Sequence, residues 1–259
     1  MNALGDVFVT ALVSTVTLTL VVYPFETVRP ADAKQRLRDR LTNYLYLPVS
    51  LACVIALQMA LGPWNGWLSQ SAQGGVLPNI HGGRLLLSFA FVLAWDVWQY
   101  WIHRWQHASA LLWATHRFHH SDTALNSSSQ ARHHPLSHVV YAVTYAPIIL
   151  LFGAFSPPLL LSIAMFRVWG FVNHANIRIG FGPAAIILAS PQWHRIHHSA
   201  DPKHRDVNFA TFFPFIDWLF GTYYRPARDE YPATGLTDDL RSDDVSRATL
   251  GRLGEGGAV

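Results

Sequence analysis

The stretch Arg84-Leu-Leu-Leu-Ser-Phe-Ala-Phe-Val-Leu-Ala-Trp-Asp96-Val-Trp-Gln-Tyr100-Trp-Ile-His103-Arg-Trp-Gln-His107 decides how this chain is read. From Leu85 to Trp101 it is apolar apart from a few polar side chains, and its length suits a membrane helix at about 1.5 Å of rise per residue. It runs without a break into two histidines. His103 and His107 stand four residues apart, so a helix presents both imidazoles on one face. An apolar span that delivers a histidine pair to its own end predicts a membrane helix feeding a metal site.

The rest of the chain has the same character. Its 259 residues are 51% hydrophobic and 14% charged, whereas soluble domains carry about 25% charged residues. An ordinary soluble globule is thereby excluded. Phe8 to Tyr23 reads as a first span. Tyr44 to Leu61, the most apolar part of the charge-free run Leu41 to Gly83, reads as a second, and Leu85 to Trp101 as a third. Gly62 to Gly83 is expected to be a loop. A helical hairpin follows, Leu136 to Phe155 and Leu159 to Phe171, turned at Ser156-Pro157-Pro158, with a second arm short enough to be re-entrant. The expected architecture is all-α: a multi-pass membrane helical bundle of about four to five membrane helices with a cytosolic histidine-rich metal-binding cap. Its expected divisions are residues 1–83 (N-terminal transmembrane helices and loops), 84–224 (the catalytic unit) and 225–259 (a polar, loosely ordered cytosolic tail). The basic run from Arg29 to Arg40 is cytoplasmic by the positive-inside rule, which brings every histidine-bearing segment to the cytoplasmic face. A single cysteine, Cys53, excludes a disulfide framework and any Cys-based zinc or iron–sulfur site. The basic residues flank apolar runs, so the net charge of +3 speaks for a membrane and not for nucleic acid.

Of 14 histidines, twelve lie between His103 and His198. Two segments share one pattern, His116-Arg-Phe-His119-His120 and His194-Arg-Ile-His197-His198. Positions i, i+3 and i+4 fall within about a third of a helix circumference, so the three rings of each box converge. With His103 and His107 they make eight candidate ligands, more than one metal needs, and point to a dinuclear centre. His174, in Asn173-His174-Ala-Asn176, is a ninth. Any of His133, His134 and His138 can ligate, although each singly reads as a neighbour of the ligands. His81 and His204, standing alone, read as structural. Glutamate occurs only at Glu26, Glu230 and Glu255, which excludes a carboxylate-bridged di-iron bundle, and the absence of HExxH excludes a zinc-protease site. An all-nitrogen set for two redox metals remains, suited to turning dioxygen on an unactivated C–H bond. Asp96 and Tyr100 precede His103 on the same helix face. They read as catalytic, orienting a ligand histidine or relaying protons, against the alternative of a helix-end carboxylate. Asn208 and Asp217 read as doing similar work, or as caps of helices and turns.

In their order these motifs resemble the fatty acid hydroxylase / sterol desaturase superfamily of integral membrane oxygenases. The resemblance covers Asp96 to Tyr224, through the three boxes, Arg132-His133-His134-Pro135, Asn173-His174-Ala-Asn176, Asn208-Phe and Asp217-Trp-Leu-Phe-Gly221-Thr222-Tyr223. It implies two iron ions, with zinc a possible metal as purified, bound by the boxed histidines. It also implies dioxygen, a lipid substrate (fatty acyl, sterol or ether lipid) that is hydroxylated, and a place in the bacterial inner membrane. No cytochrome b5-like domain is present, so electrons would come from a separate cytochrome b5, ferredoxin or reductase-type protein. Desaturation on the same metal centre, or metal binding without turnover, are the competing readings. Two positions depart from the pattern. Gly170 stands where some members carry a histidine, so a tenth ligand would have to be His134 or a neighbour, and Ser137 stands where a glutamate is frequent.

Overall fold

A computed structural model of the chain describes residues 3–71, 84–152 and 157–236. Helices make nearly all of its regular structure: α1 Ala3–Val28, α2 Leu37–Ala60, α3 Gly62–Ser71, α4 Arg84–Ala108, α5 Ala110–His120, α6 Pro135–Thr144, α7 Ala146–Phe152, α8 Pro157–Asn173, α9 Pro191–His197 and α10 Phe215–Leu219. Short 3₁₀ turns lie at Ser127–Ala131, Gly182–Ile186 and Pro202–His204. Among the described residues the one extended pairing is a lone antiparallel bridge between Ser199 and Thr234. The all-helical expectation is met.

The middle of the molecule is α4. Phe91, Val92 and Trp95 pack against Ile148 and Phe152 of α7, Phe166 of α8 and Phe212. Further along the same helix, Tyr100 packs with Ala189, Trp193, Phe209 and Ile216. This burial changes the membrane reading. Among the described residues two helical stretches are long and apolar enough to cross a membrane, Leu37–Leu57 and Pro135–Phe152, with Leu12–Val28 a shorter apolar stretch. Four to five spans were expected. The expected third span is the front of α4, whose buried face carries Asp96 with the aromatics, so much of its apolar character serves protein packing.

Other boundaries shift for local reasons. The loop expected from Gly62 begins as α3, and its remainder, with His81, lies outside the described residues. The first arm of the hairpin is two helices, α6 and α7, meeting at Tyr145, where Pro147 has no N–H to continue the ladder. Pro157 opens α8; the turn residue Ser156 is outside the described residues. The chain from Arg225 to Leu236 is not a loose tail. Gln192 Nε2 donates to the carbonyls of Ala227, Arg228 and Glu230, Arg195 Nε donates to Pro232 O, and Thr234 is buried. The tail expected beyond it lies outside the described residues.

A buried glutamate joins the N-terminal helices to this core. Glu26, 2% exposed, pairs with Arg40 of α2 at 2.8 Å. The same carboxylate accepts the backbone N–H groups of Ser127 and Asn176, each at 2.8 Å, and the Ser127 hydroxyl. Asn176 in turn exchanges side-chain hydrogen bonds with the backbone of Asp32. Because Asn176 follows His174 by two residues, the α1–α2 turn sets where that histidine sits. Glu26→Ala leaves a buried guanidinium without its partner. We expect a loss of about 3–5 kcal/mol, read as a lowered thermal unfolding transition of the detergent-solubilised chain, with Glu26→Gln intermediate.

Candidate metal centre

The elbow at Ser109 sets α5 against the end of α4 and brings four histidines into one group. His103 and His116 face each other Nε2 to Nε2 at 3.0 Å, and His107 and His120 at 3.2 Å. His197 of α9 joins them, 3.0 Å from His103. A second group holds His119, His174, His194 and the α9 C-cap His198, with His174 Nε2 at 3.1 Å from both His119 and His194. Within each group the nitrogens lie within 4.8 Å of one another. The two boxes each straddle the groups: His119 and His120 are neighbours in sequence yet face different clusters, as do His197 and His198. The groups abut, with the His120 and His198 rings stacked 4.3 Å apart.

The far nitrogens explain what the near ones do. His103 Nδ1–H donates to Phe209 O at 2.9 Å and His197 Nδ1–H to Val207 O at 2.8 Å. A carbonyl can only accept, so both rings carry their proton on Nδ1, and their facing Nε2 atoms present bare lone pairs to each other. The second group repeats this. His119 donates from Nδ1 to Arg132 O and His174 from Nδ1 to Gly170 O, with their Nε2 atoms 3.1 Å apart. Two acceptors at that separation repel unless a cation lies between them. Metal–imidazole bonds of about 2.0–2.1 Å place right-angled donors about 3.0 Å apart, so the spacing fits a metal. Both nitrogens of His198 and Nδ1 of His116 and His194 are buried with no hydrogen-bond partner. Burial brings His103 down to about 4, and burial first, then the neighbouring imidazoles, hold His107, His116 and His197 well below the usual histidine range.

Three rings of the five-histidine group are oriented by one strap, Asp206 to Phe209. Asp206 Oδ1 lies 3.2 Å from His107 Nδ1, and the carbonyls of Val207 and Phe209 hold His197 and His103. Asp206 and Asn208 have positive φ (57° and 63°), a conformation that Asp and Asn tolerate better than most residues. The strap is fastened from behind. Asn208 donates to Trp193 O and accepts from Tyr224 N–H. Asp217 accepts from the N–H groups of Phe209 and Ala210 and from the Thr222 hydroxyl, and burial pushes its carboxyl up to about 7. Arg104 donates to the Tyr100 hydroxyl, which lies 2.9 Å from Thr222 Oγ1.

The four residues expected to be catalytic therefore stand elsewhere. Asp96 meets no histidine; its carboxylate accepts the backbone N–H groups of Thr211, Phe212 and Phe213 at 2.7–3.0 Å, since its face of α4 packs on that segment. Tyr100, Asn208 and Asp217 likewise act on the strap and not on the rings. His134 is a correction too: its Nδ1 accepts from Leu136 N–H and caps α6, outside both groups. His133 stacks on the His119 ring at 5.0 Å, and His138 bonds Ser50, so neither is in a group. His204 is structural as expected, held by Ser199 and Glu230. Asp206 and Val207 stand in none of the sequence motifs, and Arg132 stands in one without an assigned role; Val207 and Arg132 serve through backbone carbonyls, which any residue supplies. At Gly170 a Cβ would come within 2.8 Å of the Gln130 amide, so Gln130 takes the space that a histidine side chain there would need.

A cavity of about 330 Å³ opens onto both groups, reaching His103 and His116 of one and His119, His174 and His194 of the other. Its walls combine Trp95, Tyr145, Ile163 and Phe166 with the amides of Gln99, Gln106 and Gln130.

The lowered histidine pKa values predict a pH dependence. His103 and His174 are brought to about 4 in the fold and stand at about 6.5 in an unfolded chain. Between these values the unfolded chain binds more protons, so the stability they contribute is full above about pH 6.5 and is lost as pH falls toward about 4. The metal-stripped chain should show a thermal transition that falls across this interval and is level above pH 7; a flat profile would contradict a neutral, buried cluster.

A family model described as fatty acid hydroxylase matches residues 88–222. The chain is similar to alkylglycerol monooxygenase of Danio rerio, 32% identical over 152 residues, which cover 58% of this chain and 33% of that protein. Its similarity to the Homo sapiens alkylglycerol monooxygenase is 30% over 156 residues, 60% of this chain and 34% of the relative. The ornithine lipid hydroxylase OlsE of Rhizobium tropici is 31% identical over 139 residues, 53% of this chain and 42% of that protein. The match thus spans about a third to two fifths of these curated relatives. No solved structure matches the chain. Because the matched segment runs from α4 through Thr222 and contains both histidine groups entire, this chain belongs to the fatty acid hydroxylase family.

Proposed function

We propose that this chain is a membrane-bound di-iron oxygenase that hydroxylates a C–H bond of a lipid. The overall change is RH + O₂ + 2e⁻ + 2H⁺ → ROH + H₂O, with the two electrons delivered by a separate cytochrome b5, ferredoxin or reductase-type protein. The observation that carries the reading is the pairing of bare Nε2 lone pairs at 3.0 and 3.1 Å in two adjoining groups, an arrangement that calls for a cation in each. Iron bound there supplies dioxygen activation, which no side chain provides for an alkyl C–H bond.

The chain's own residues do the rest. Carbonyls of Phe209, Val207, Arg132 and Gly170 keep the imidazoles in the tautomer that leaves Nε2 free. Trp95, Tyr145 and Phe166 give an alkyl segment an apolar wall, while Gln99, Gln106 and Gln130 offer hydrogen bonds to polar substrate atoms beside it. The names of the relatives, monooxygenase and hydroxylase, favour hydroxylation over desaturation. The basic run Arg29 to Arg40 supports a cytoplasmic site in a bacterial inner membrane.

Purified chain should carry about two metal ions, and His119→Ala or His197→Ala, one from each group, should lose metal and activity. Retention of both by either variant would sink the dinuclear reading. His204→Ala should retain metal. Asp96→Asn, which touches only backbone N–H groups, should lower stability by about 1–3 kcal/mol with turnover per folded, metal-loaded molecule unchanged. Lipid mass spectrometry of cells with and without the chain should find a product heavier by one oxygen; a product lighter by two hydrogens would assign desaturation instead.

A further inference from the structure

A second cavity, of about 540 Å³, is larger than the one at the histidine cluster and lies apart from it. It opens where α1 ends and is lined by Arg29, Arg178, Arg225 and Arg228, with Gln192 and Tyr231 in its wall. None of the nine clustered histidines borders it. We propose that this cavity is a binding site for a phosphate group, carried by the headgroup of an anionic lipid.

Four arginines line one hollow, so their charges repel one another, and among the described residues none of them is ion-paired with a carboxylate. Asp229 is the one acidic residue in the lining. The cationic wall is also built in place. Arg178 Nε donates to Pro30 O at 3.3 Å, and its guanidinium lies over the Tyr231 ring at 4.8 Å. Its backbone N–H bonds Arg29 O at 2.9 Å, so the two arginines are tied together. Gln192, buried, fastens the segment that carries Arg228 through bonds to the carbonyls of Ala227, Arg228 and Glu230. Gly180 lets this amide pass, since a Cβ there would run into it.

Positive charge so concentrated, in planar forks that each donate to two oxygens, matches a phosphate better than a single carboxylate. The surroundings indicate a lipid. Arg29 follows the last residue of α1, Val28, which is 84% exposed, and Ile179 in the cavity lining is also exposed. An apolar helix end beside a basic hollow is where an acyl chain and its headgroup are accommodated together.

The test uses the full-length, metal-loaded chain in neutral detergent, titrated with short-chain phosphatidic acid, short-chain phosphatidylcholine and inorganic phosphate. Phosphatidic acid should bind saturably, and more weakly as salt is raised. The Arg178→Gln/Arg228→Gln double variant should weaken it about tenfold or more. Arg178→Lys/Arg228→Lys, which keeps charge but not the fork, should fall between. Arg38→Gln, on a different exposed arginine, should match the parent, and equal metal content reports that each variant is folded. Inorganic phosphate binding as tightly as phosphatidic acid, and lost in the same variant, would keep the phosphate site and assign it to free phosphate. Equal affinity of parent and double variant, equal affinity of the parent for phosphatidylcholine, or no saturable binding of either phosphate probe would overturn the proposal. Binding is read directly, so this result is independent of whether the metal centre hydroxylates anything.

Discussion

Lone pairs facing lone pairs set the terms for the rest of the molecule. His103 with His197, and His119 with His174, are held Nε2 to Nε2 at 3.0 and 3.1 Å while their protons are committed to carbonyls on the other side of each ring. Such a geometry is repulsive by itself and needs both a cation inside and a rigid frame outside. A protonated ring would relieve the repulsion, but burial opposes the charge and holds these imidazoles well below their usual range. The features around the cluster are the frame that this constraint requires.

That frame acts through the backbone. Asp96 grips the N–H groups of residues 211 to 213, Asp217 those of 209 and 210, and Asn208 fastens the strap between Trp193 and Tyr224. The strap then presents its carbonyls to the rings. On the other side, Asn43, Asp122, Ser129 and Arg132 form a buried hydrogen-bonded group that fixes the Arg132 carbonyl against His119. A carboxylate bonded directly to each ligand would make the rings more basic. Carbonyls orient them without adding charge, which suits a cluster with nine imidazoles and one half-exposed carboxylate, Asp206, at its edge.

The same helices serve the second cavity. α9 carries His194 and His197, and its Gln192 anchors the arginine-bearing segment from Ala227 to Glu230. Arg178 follows His174 by four residues, and the intervening Asn176 is tied to Glu26 and Asp32. The basic hollow and the metal centre thus hang on the same short connections, one at the end of the apolar helix α1 and the other beneath α4.

Spacing was enough to pick out most of the histidines that gather in the cluster. An i, i+4 pair and two HxxHH boxes bring their rings to one side only if each lies on a helix, and the eight histidines so named, with His174, lie in the two groups, although each box is divided between them. Apolar composition announced helices, yet it could not separate a lipid-facing face from one packed on protein: α4 and its Asp96 are the case in point. Nor could it reveal which histidine joins which group, because adjacent residues such as His119 and His120 part company only once α5, α8 and α9 are packed. His134 was misread since a histidine beside a proline looks the same whether it ligates or caps a helix. Local periodicity determined which residues were able to bind a metal; only tertiary packing, by choosing which carbonyl takes each Nδ1 proton, decided which nitrogen each ring presents and which ring it faces.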